Sequence, residues 1–551
     1  MKHFLLSAAA MIGLLASPFE IQSQVIITDD GSGTGTTTWT NDNTYVLDGF
    51  VFVNEGDVLT IEAGTVIKGS TGSGADASAL VVARGGQIEA NGTADAPIIF
   101  TFESDALDGS TPFNVRGQWG GVILLGNAQL NSSPGETQIE GIPDTEPRGR
   151  YGGDNDEDSS GTMTYVSIRH GGTDIGAGNE INGLTLGGVG AGTTLDYIEV
   201  ISNADDGVEF FGGTASIKHV VTAFCGDDSF DYDEGWRGYG QFWCTVQEEG
   251  EGDRGGEHDG GTDPEDGLPY AHPVIYNATY MGRGVDAGRR ALTLRDNAGG
   301  EYHNSIFYNW GKGVDIENLA SGEDSYARFE NNEIAFAGNI FDGCTGLGLD
   351  ATAADLFKIT MGSGWASSED STAAATASAA AFQASFAANG NAVAASGLNY
   401  AVEEGSGLLQ LIPNSNVPAG ANPTMEWFDD VTYAGAFDPS NECPWLVGWS
   451  MLWERGFFAC PTTGVAAAGE ATALNIYPNP SNGNFSIQFE TSVNNAAISI
   501  FDLSGKSIYE NQLSMVSGEL LNVNMLGTSP GLYVITISHG DRQQRHKLIV
   551  E

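Results

Sequence analysis

Short runs rich in apolar, β-branched and aromatic residues recur along the chain. Val58–Ile61, Ala79–Val82 and Pro97–Phe102 are examples, and Gly-Thr, Gly-Gly and Asn-Gly-Thr turns separate them. Short runs of this kind between turns are typical of β-strands, whereas amphipathic helices would repeat their apolar residues at three and four positions. The pattern therefore predicts an all-β body built from short strands and tight turns.

A constant offset of 22 residues relates the strands in the middle of the chain, where Leu195–Phe210 aligns with Ile217–Tyr232. A fixed period of this size on short strands indicates a solenoid, in which each coil packs only on its neighbours. We predict one parallel β-helix over 25–350; a β-sandwich array is the alternative, but it would not keep a constant offset. The positions that repeat are Ile198, Val220 and Phe242, and then Leu292 with Val314 and Leu294 with Ile316.

The composition changes over residues 351–462. Ser371–Phe386 is rich in alanine and predicts a helix, which begins near Ser367 and carries Phe382 and Phe386 on one face. We expect this helix to cover the open end of the solenoid and its unpaired strand edge. The aromatic segment 427–458 follows and is predicted to close the body.

Both termini predict export. Lys2 and His3 precede the apolar run Phe4–Ala16, which is too short to span a bilayer and fits a signal peptide over 1–24. No later segment is long and apolar enough to cross a membrane, so the mature chain is predicted to lie outside the cytoplasm. After a linker at 463–472, residues 473–551 alternate like strands around turn residues and predict a small β-sandwich.

The tail carries three motifs in order: Leu474–Phe485, Ile498–Lys506 and Pro530–Ile537. With these motifs it closely resembles the C-terminal sorting domain of type IX secretion cargo in Bacteroidota. The resemblance implies that the type IX machinery exports the chain across the outer membrane and that its sorting peptidase removes the tail. The protein would then be secreted or held on the outer face of the outer membrane.

The body resembles the right-handed β-helix of the pectin-lyase-like superfamily. That resemblance rests on the period and the turns and concerns architecture alone, because no catalytic signature carries over. The implied fold is a right-handed parallel β-helix with a helical and aromatic cap region, plus the C-terminal β-sandwich.

The chain is strongly acidic, with 72 Asp and Glu against 22 Lys and Arg and a net charge of −50. This charge excludes nucleic acid and anionic membranes as partners. Hydrophobic residues make up 41% of the chain, which argues against disorder. An acidic protein that folds outside the cell usually binds divalent cations or works in salty water.

The strongest candidate site is a repeated acidic turn. If the period is one coil, Asp205 lies one strand spacing, about 5 Å, from Asp227, where two like charges repel by about 3 kcal/mol at an effective dielectric near 20. A shared Ca²⁺ would relieve this repulsion, and separately solvated carboxylates are the alternative. The candidate Ca²⁺ ligands are Asp205, Asp206, Asp227, Asp228, Asp231 and Asp233.

A second, weaker Ca²⁺ candidate is the loop with Asp154, Asp156 and Asp158, whose spacing is that of half an EF-hand. The rest of the hand is missing, because Ser159 and Tyr165 stand where Gly and Glu are needed. The Gly-rich segment 248–266, which includes His258, is predicted to be a solvated insertion between coils.

Three functions are open to a chain of this kind. Non-enzymatic adhesion or glycan binding is the leading interpretation, with sugar rings stacking on Trp236, Trp243 or Trp310 if these are exposed rather than core. A polysaccharide lyase or glycoside hydrolase is the second, in which Arg289 or Arg290 could serve as the base. An inert surface-coat protein is the third.

The five cysteines are too few for a disulfide framework. On the 22-residue offset Cys244 aligns with Thr222, which lies three residues before Cys225. Three strand residues span about 10 Å, so no bond between the two cysteines is predicted. Cys443 and Cys460 could form a bond, and the sequence leaves that open.

Overall fold

The computed structural model describes residues 23–551 with gaps at 177–179, 345–356, 363, 415–419, 421–422 and 461–473, and with short gaps in the tail. The tail gaps are 480, 482, 490–492, 503–505, 517–518, 526–527, 530, 540–541 and 551. The predicted linker lies outside the described residues, as does the signal peptide apart from Ser23 and Gln24. The chain divides into two compact units, Met1–Phe458 and Ala459–Glu551.

The first unit contains thirty strands and three α-helices among its described residues. The helices are α1 (Ser325–Glu330), α2 (Ser368–Ala388) and α3 (Met451–Glu454), and single 3₁₀ turns lie at Gly74–Asp76, Pro147–Gly149 and Val285–Ala287. The strands are β1 (Ser23–Ile27), β2 (Thr37–Trp39), β3 (Asn43–Leu47), β4 (Phe50–Val53), β5 (Val58–Ile61), β6 (Val66–Gly69), β7 (Ala79–Val82), β8 (Gln87–Asn91), β9 (Ile98–Phe102), β10 (Val122–Leu125), β11 (Thr137–Gln138), β12 (Arg150–Tyr151), β13 (Gly161–Arg169), β14 (Leu184–Gly187), β15 (Thr194–Ile201), β16 (Val208–Phe211), β17 (Ile217–Ala223), β18 (Phe230–Asp233), β19 (Tyr239–Val246), β20 (Gly256–Asp259), β21 (Val274–Tyr276), β22 (Thr279–Met281), β23 (Arg290–Arg295), β24 (Gly300–His303), β25 (Ile306–Tyr308), β26 (Lys312–Asn318), β27 (Ile334–Ala337), β28 (Ile340–Asp342), β29 (Phe357–Met361) and β30 (Ala392–Val393).

Apart from β11 and β12, which form a separate antiparallel pair, these strands form three parallel faces, which confirms the predicted parallel β-helix. The first face starts at β2 and runs through β5 and β8, and the second starts at β1 and runs through β3, β6 and β9. The long strands β13, β15, β17 and β19 belong to both faces, which separate again after β19. The third face is a ten-stranded sheet in the order β4, β7, β10, β14, β16, β18, β20, β23, β26 and β29.

The long strands turn from the first face to the second at one residue each. Tyr165, Tyr197, His219 and Phe242 occupy these corners with φ between 44° and 60°. This left-handed conformation is uncommon for residues other than glycine. The rings of the four residues stack on one another with centroids 4.3 Å, 4.3 Å and 4.7 Å apart, and that stacking supports the repeated corner.

The interior is filled by every second residue of each strand, because successive side chains of a strand point to opposite faces. Phe210 lies 3.9 Å from Trp236 between ring centroids, and Phe230 lies 4.4 Å from Trp243. Both tryptophans and Trp310 are at most 1% exposed, so all three belong to the core. They cannot serve as surface platforms for sugar rings.

The predicted register is correct on the third face and wrong by one residue between β17 and β19. Val208 pairs with Phe230, and Leu292 pairs with Val314, as the offset of 22 requires. Val220, however, pairs with Trp243 rather than Phe242. Phe211 and Ile217 are six residues apart, whereas their partners Asp233 and Gly240 are seven apart, and this extra residue shifts the register.

The cysteine prediction survives this correction. Cys225, Cys244 and Cys344 are free and buried, so no Cys225–Cys244 bond forms. Cys443 and Cys460 are disulfide-bonded, which answers the question that the sequence left open.

The cap region is where the prediction differs most from the structure. Helix α2 lies at the end of the solenoid as expected: Ser367 caps its N-terminus, and Phe382 stacks on Phe329 at 3.8 Å. The aromatic segment does not close an end. Leu446, Trp449 and neighbouring side chains lie along the second face and cover apolar residues that point outward from its strands, among them Val221, Cys244, Met281 and Ile306.

The second unit consists of two antiparallel sheets. Phe485 and Ile487 of one sheet share a hydrophobic cluster with Ile498, Ile500 and Ile535 of the other, so the apolar faces pack together. The strands are β31 (Leu474–Tyr477), β32 (Asn484–Phe489) and β35 (Leu520–Asn524) in the first sheet, and β33 (Val493–Asp502), β34 (Ser507–Met515), β36 (Gly531–His539) and β37 (Arg542–Val550) in the second.

Candidate cation-binding site

The third face carries a strip of carboxylates on its outer side. On each strand the apolar residues point inward, so the residues between them point outward and align from coil to coil. Glu209 pairs with Asp231, and Asp231 pairs with Glu257. We call the following residues the acidic strip: Asp205, Asp206, Glu209, Asp227, Asp228, Asp231, Asp233, Asp253, Glu257 and Asp259.

The N-terminal part of the strip brings carboxylates together in threes. Asp206, Glu209 and Asp231 each place a carboxylate oxygen within 4.8 Å of the other two, and so do Asp205, Asp206 and Asp227. We call Asp205, Asp206, Glu209 and Asp231 the bare section. Within the described part of the chain, none of these four forms an ion pair with Lys or Arg.

The few hydrogen bonds of the bare section come from neutral groups. The Asp206 carboxylate accepts from the backbone N–H of Asp228 at 2.8 Å. Glu209 accepts from the Asn182 side chain, which also donates to Glu140 at 2.9 Å. Oδ1 of Asp231 and Oδ1 of Asn182 are buried without a hydrogen-bond partner.

The C-terminal part of the strip is arranged differently, because arginines are interleaved with its acids. Arg254 lies 3.0 Å from both Asp228 and Glu257. Arg295 forms a bidentate pair with Asp259 at 2.7 Å and 2.9 Å. We call this the paired section; its further ion pairs are Arg295 with Glu257, Arg289 with Asp253, and Arg290 with Asp315.

Burial shapes the electrostatics of the bare section. It is the main cause that raises the pKa of Asp206, Glu209 and Asp231 well above the ordinary range, and neighbouring carboxylates raise each further. Burial, with the charge of Glu140, raises the pKa of Asp205 to about 7. These carboxyl groups must hold protons or share a cation, because ionised carboxylates at this density would repel strongly.

The long connection between β10 and β13 produces part of this burial. Its residues Leu130, Ile139 and Ile142 cover the outer side of the third face around Ile123 and Leu125. The connection also brings Glu140 next to Glu209, and the two carboxyl groups share a hydrogen bond.

The structure groups most of the predicted Ca²⁺ ligands. Asp205, Asp206, Asp227, Asp228 and Asp231 all belong to groups of three carboxylates, together with Glu209, Asp253 and Glu257. Asp233 lies beside them but accepts from Thr262 at 2.7 Å and from the backbone of Glu234. Glu209 could have been found from the sequence, since the 22-residue offset places it on Asp231.

The second Ca²⁺ candidate is not assembled. Asp156 pairs with Arg237 at 2.9 Å, and Asp158 accepts from the backbone N–H of Asn127 at 3.0 Å. Asp154 is exposed. Across the residues that the structure describes, no group of three carboxylates forms in this loop.

His258 corrects the prediction for segment 248–266. Residues Gly256–Asp259 form strand β20 of the third face, with His258 inside the solenoid and Glu257 and Asp259 outside. The His258 ring stacks on Tyr232 at 4.2 Å and its Nε2 bonds to the Tyr302 hydroxyl at 2.7 Å. A planar polar ring fills an interior position here, so the strand does not show the usual apolar alternation.

Two parts of the sequence match known families. Residues 31–396, more than half of the chain, match the family described as a pectate-lyase like beta helix domain. The chain belongs to this pectate-lyase-like β-helix family. Residues 475–551 of the β-helix protein match the secretion system C-terminal sorting domain. The tail thus indicates handling by the type IX secretion machinery and export to the medium or the cell surface.

Other comparisons add little about function. A search of curated proteins finds no relative that matches the β-helix protein. The solved enzymatically active domain of Bacteriophage CBA120 tailspike protein 2 is similar with a TM-score of 0.21 and 10% identity, over 92% of this chain and 72% of that one. A likeness at this level supports no statement about activity. In the described residues, no helix has the length and apolar character to cross a membrane.

Proposed function

We propose that this protein is a non-enzymatic adhesion protein that works outside the cell and binds glycans through Ca²⁺ held on its acidic strip. The bare section is the observation that carries the proposal. It gathers Asp206, Glu209 and Asp231 within 4.8 Å, with no basic partner among the described residues, at the cost of strong repulsion. A divalent cation offsets that repulsion and accounts for the arrangement.

The donor set favours Ca²⁺ over softer metals. All candidate ligands are oxygens, which Ca²⁺ prefers, and it accepts six to eight of them in flexible geometry. Oδ1 of Asp231 is buried without a hydrogen-bond partner among the described residues, so this ligand atom is free to bind the cation. Asp227 is exposed at the outer edge of the group with Asp205 and Asp206, so a cation there has positions open to sugar hydroxyls.

The arginines support a binding role over a lyase. Arg289 pairs with Asp253 at 2.7 Å and Arg290 pairs with Asp315 at 2.6 Å, so both serve to neutralise acids. A glycoside hydrolase is the second candidate, because Asp228 and Glu257 share a hydrogen bond and burial raises the pKa of both. Paired carboxyl groups with shifted pKa values are what acid–base hydrolysis uses.

A glycan array with the mature protein tests the proposal. We expect binding in Ca²⁺ that is lost in EDTA and in a variant with Asp206→Asn and Glu209→Gln, which keeps the hydrogen bonds of both side chains. Asp95→Asn with Asp144→Asn, two exposed acids elsewhere, is the matched control and should bind as wild type. Cleavage of array glycans would favour the hydrolase, and binding in neither condition would favour an inert coat.

Export includes a proposed processing step. We expect the sorting peptidase to cut within 461–473, a segment outside the described residues, and to remove the second unit. Intact-mass measurement of native protein should show this loss, whereas full-length protein on the cell surface would contradict it.

A further inference from the structure

A polar cavity lies between the second face of the solenoid and the aromatic segment, away from the acidic strip. Its volume is about 260 Å³. Three separate parts of the chain line it: the loop after β9 with Asp105 and Asp108, the end of β13 with Arg169 and His170, and helix α3 with Glu454 and its neighbour Arg455. Cavities of drug-sized ligands range from about 300 to 1,000 Å³, so this one suits a single small ring.

The walls of the cavity are fixed by their own hydrogen bonds. Arg169 forms a bidentate pair with Glu454 at 2.8 Å and 3.1 Å, and the arginine is only 3% exposed. Asp105 is 3% exposed and accepts from Thr101 and Thr111, each at 2.8 Å. Side chains held in this way need no rearrangement to meet a ligand, which lowers the entropic cost of binding.

His170 adds a neutral acceptor to the wall. It is 1% exposed, and its Nδ1 bonds to the carbonyl oxygen of Val115 at 2.6 Å. A carbonyl can only accept, so Nδ1 carries the proton and Nε2 is left with its lone pair. Burial lowers the pKa of His170, which favours the neutral ring.

The charges around the cavity nearly balance and are already engaged. Asp105, Asp108 and Glu454 face Arg169 and Arg455, and Arg455 donates to the carbonyl oxygens of Gly109 at 2.6 Å and Thr111 at 2.7 Å. An anion would meet three carboxylates, and both guanidinium groups already have partners. Among the described residues, no group of three carboxylates suits a cation here. The ligand that fits is therefore neutral and rich in hydrogen-bonding groups.

The apolar part of the lining completes this chemistry. Leu107 lies half-buried among the charged groups and offers a surface to C–H groups, with the buried Met451 beneath the lining. Leu107 has a φ of 54°, a strained conformation for a bulky residue, and such outliers cluster at functional sites. A sugar ring presents both kinds of surface, because its hydroxyls point outward around C–H faces.

We propose that this cavity binds one neutral monosaccharide unit, independently of Ca²⁺ and of the acidic strip. The site goes beyond the proposed function, since it would bind sugar even if the strip held no cation. Two binding sites on one surface protein would also raise its avidity for a glycan without new contacts.

Saturation-transfer NMR on the mature protein in EDTA tests the proposal. The probes are the methyl glycosides of glucose, galactose, mannose and N-acetylglucosamine, with glucuronate and glucosamine as charged comparators. We expect at least one neutral glycoside to bind, and about tenfold weaker binding of both charged sugars. Asp108 is exposed at the mouth of the cavity, so Asp108→Trp should abolish binding while thermal melting stays unchanged.

The matched control is Asp95→Trp on another exposed turn, which should bind as wild type. The proposal is overturned if no neutral glycoside binds, if Asp108→Trp binds as wild type, or if a charged sugar binds more tightly. Binding that requires Ca²⁺ and is lost in the Asp206→Asn, Glu209→Gln variant would also overturn it, and would assign the sugar site to the strip instead.

Discussion

The bare and paired sections of the acidic strip lie on the same face with the same strand spacing, but arginines neutralise the carboxylates only in the paired section. In the paired section Arg254 lies between Asp228 and Glu257, and Arg295 clamps Asp259. In the bare section the carboxylates of Asp206 and Glu209 accept hydrogen bonds from neutral groups, and Oδ1 of Asp231 is buried without a partner among the described residues. The fold can therefore place arginines beside the carboxylates of the acidic strip, and it does so only in the paired section. That difference is the reason for proposing the bare section as the cation site.

The largest expected effect comes from breaking the paired section. Arg254→Met removes the partner of Asp228, whose side chain is 2% exposed, and leaves a buried carboxylate without compensation. Loss of one partner of a buried pair costs about 3–5 kcal/mol in the free energy of unfolding. Arg289→Met in the same section is the control: Arg289 is 45% exposed, so the loss should stay under about 1 kcal/mol. Urea unfolding of the mature protein in EDTA measures both, and equal losses would contradict the account.

A smaller effect is expected from pH on the metal-free protein. Burial raises the folded-state pKa of Asp205 to about 7 and that of Asp206, Glu209 and Asp231 well above the ordinary range. Groups with a raised folded pKa stabilise the protein fully below their unfolded pKa, near 4, and lose that contribution as pH rises through the folded pKa. The Tm in EDTA should thus fall by several degrees between pH 6.5 and 8.5.

Saturating Ca²⁺ should flatten that slope, since a bound cation replaces the protons. The window stops at pH 6.5 because His258 acts in the opposite direction below it. Burial lowers the pKa of this ring to about 3, so protons then favour the unfolded chain. A Tm in EDTA that stays constant or rises with pH up to 8.5 would contradict the account of the bare section.

The smallest expected effect is a gain in stability. Asp206→Asn with Glu209→Gln removes two of the mutually repelling carboxylates while keeping their hydrogen bonds. The metal-free protein should become more stable by about 1 kcal/mol, a part of the roughly 3 kcal/mol that a like-charged pair costs at this distance. Asp259→Asn, which weakens the bidentate pair with Arg295, should destabilise instead. Chemical unfolding at pH 8 in EDTA distinguishes the two, and a loss in both variants would contradict the comparison.

Much of the fold follows from local pattern. Short β-branched runs between turns predict the strands, the 22-residue offset places Leu292 on Val314, and the alanine-rich run with its Ser367 cap predicts helix α2. The sorting tail is predictable because its turn and strand motifs are contiguous. Each of these depends on neighbours in the sequence or on a constant period.

The other features of the fold and of the site could not be predicted from the 22-residue repeat. One extra residue between Asp233 and Gly240 moves Trp243 to the position expected for Phe242. The polar ring of His258 at an interior position makes strand β20 difficult to predict from apolar residues. Arg254 pairs with Asp228, which lies 26 residues earlier in the sequence, so no local signal links them. The aromatic segment covers the second face because outward residues there, such as Val221 and Met281, are apolar, which can be recognised only once the faces are known.

The central claim is that the bare section binds Ca²⁺, and thermal melts of the mature protein at pH 7.5 in EDTA, in Ca²⁺ and in NaCl of matched ionic strength test it most directly. The account predicts a stabilisation by Ca²⁺ of about 2.7 kcal/mol at a hundredfold excess over the dissociation constant. NaCl should not reproduce it, and it should disappear in the Asp206→Asn, Glu209→Gln variant but persist in Asp259→Asn. Identical melts in EDTA and Ca²⁺, or an equal shift in NaCl, would contradict the claim.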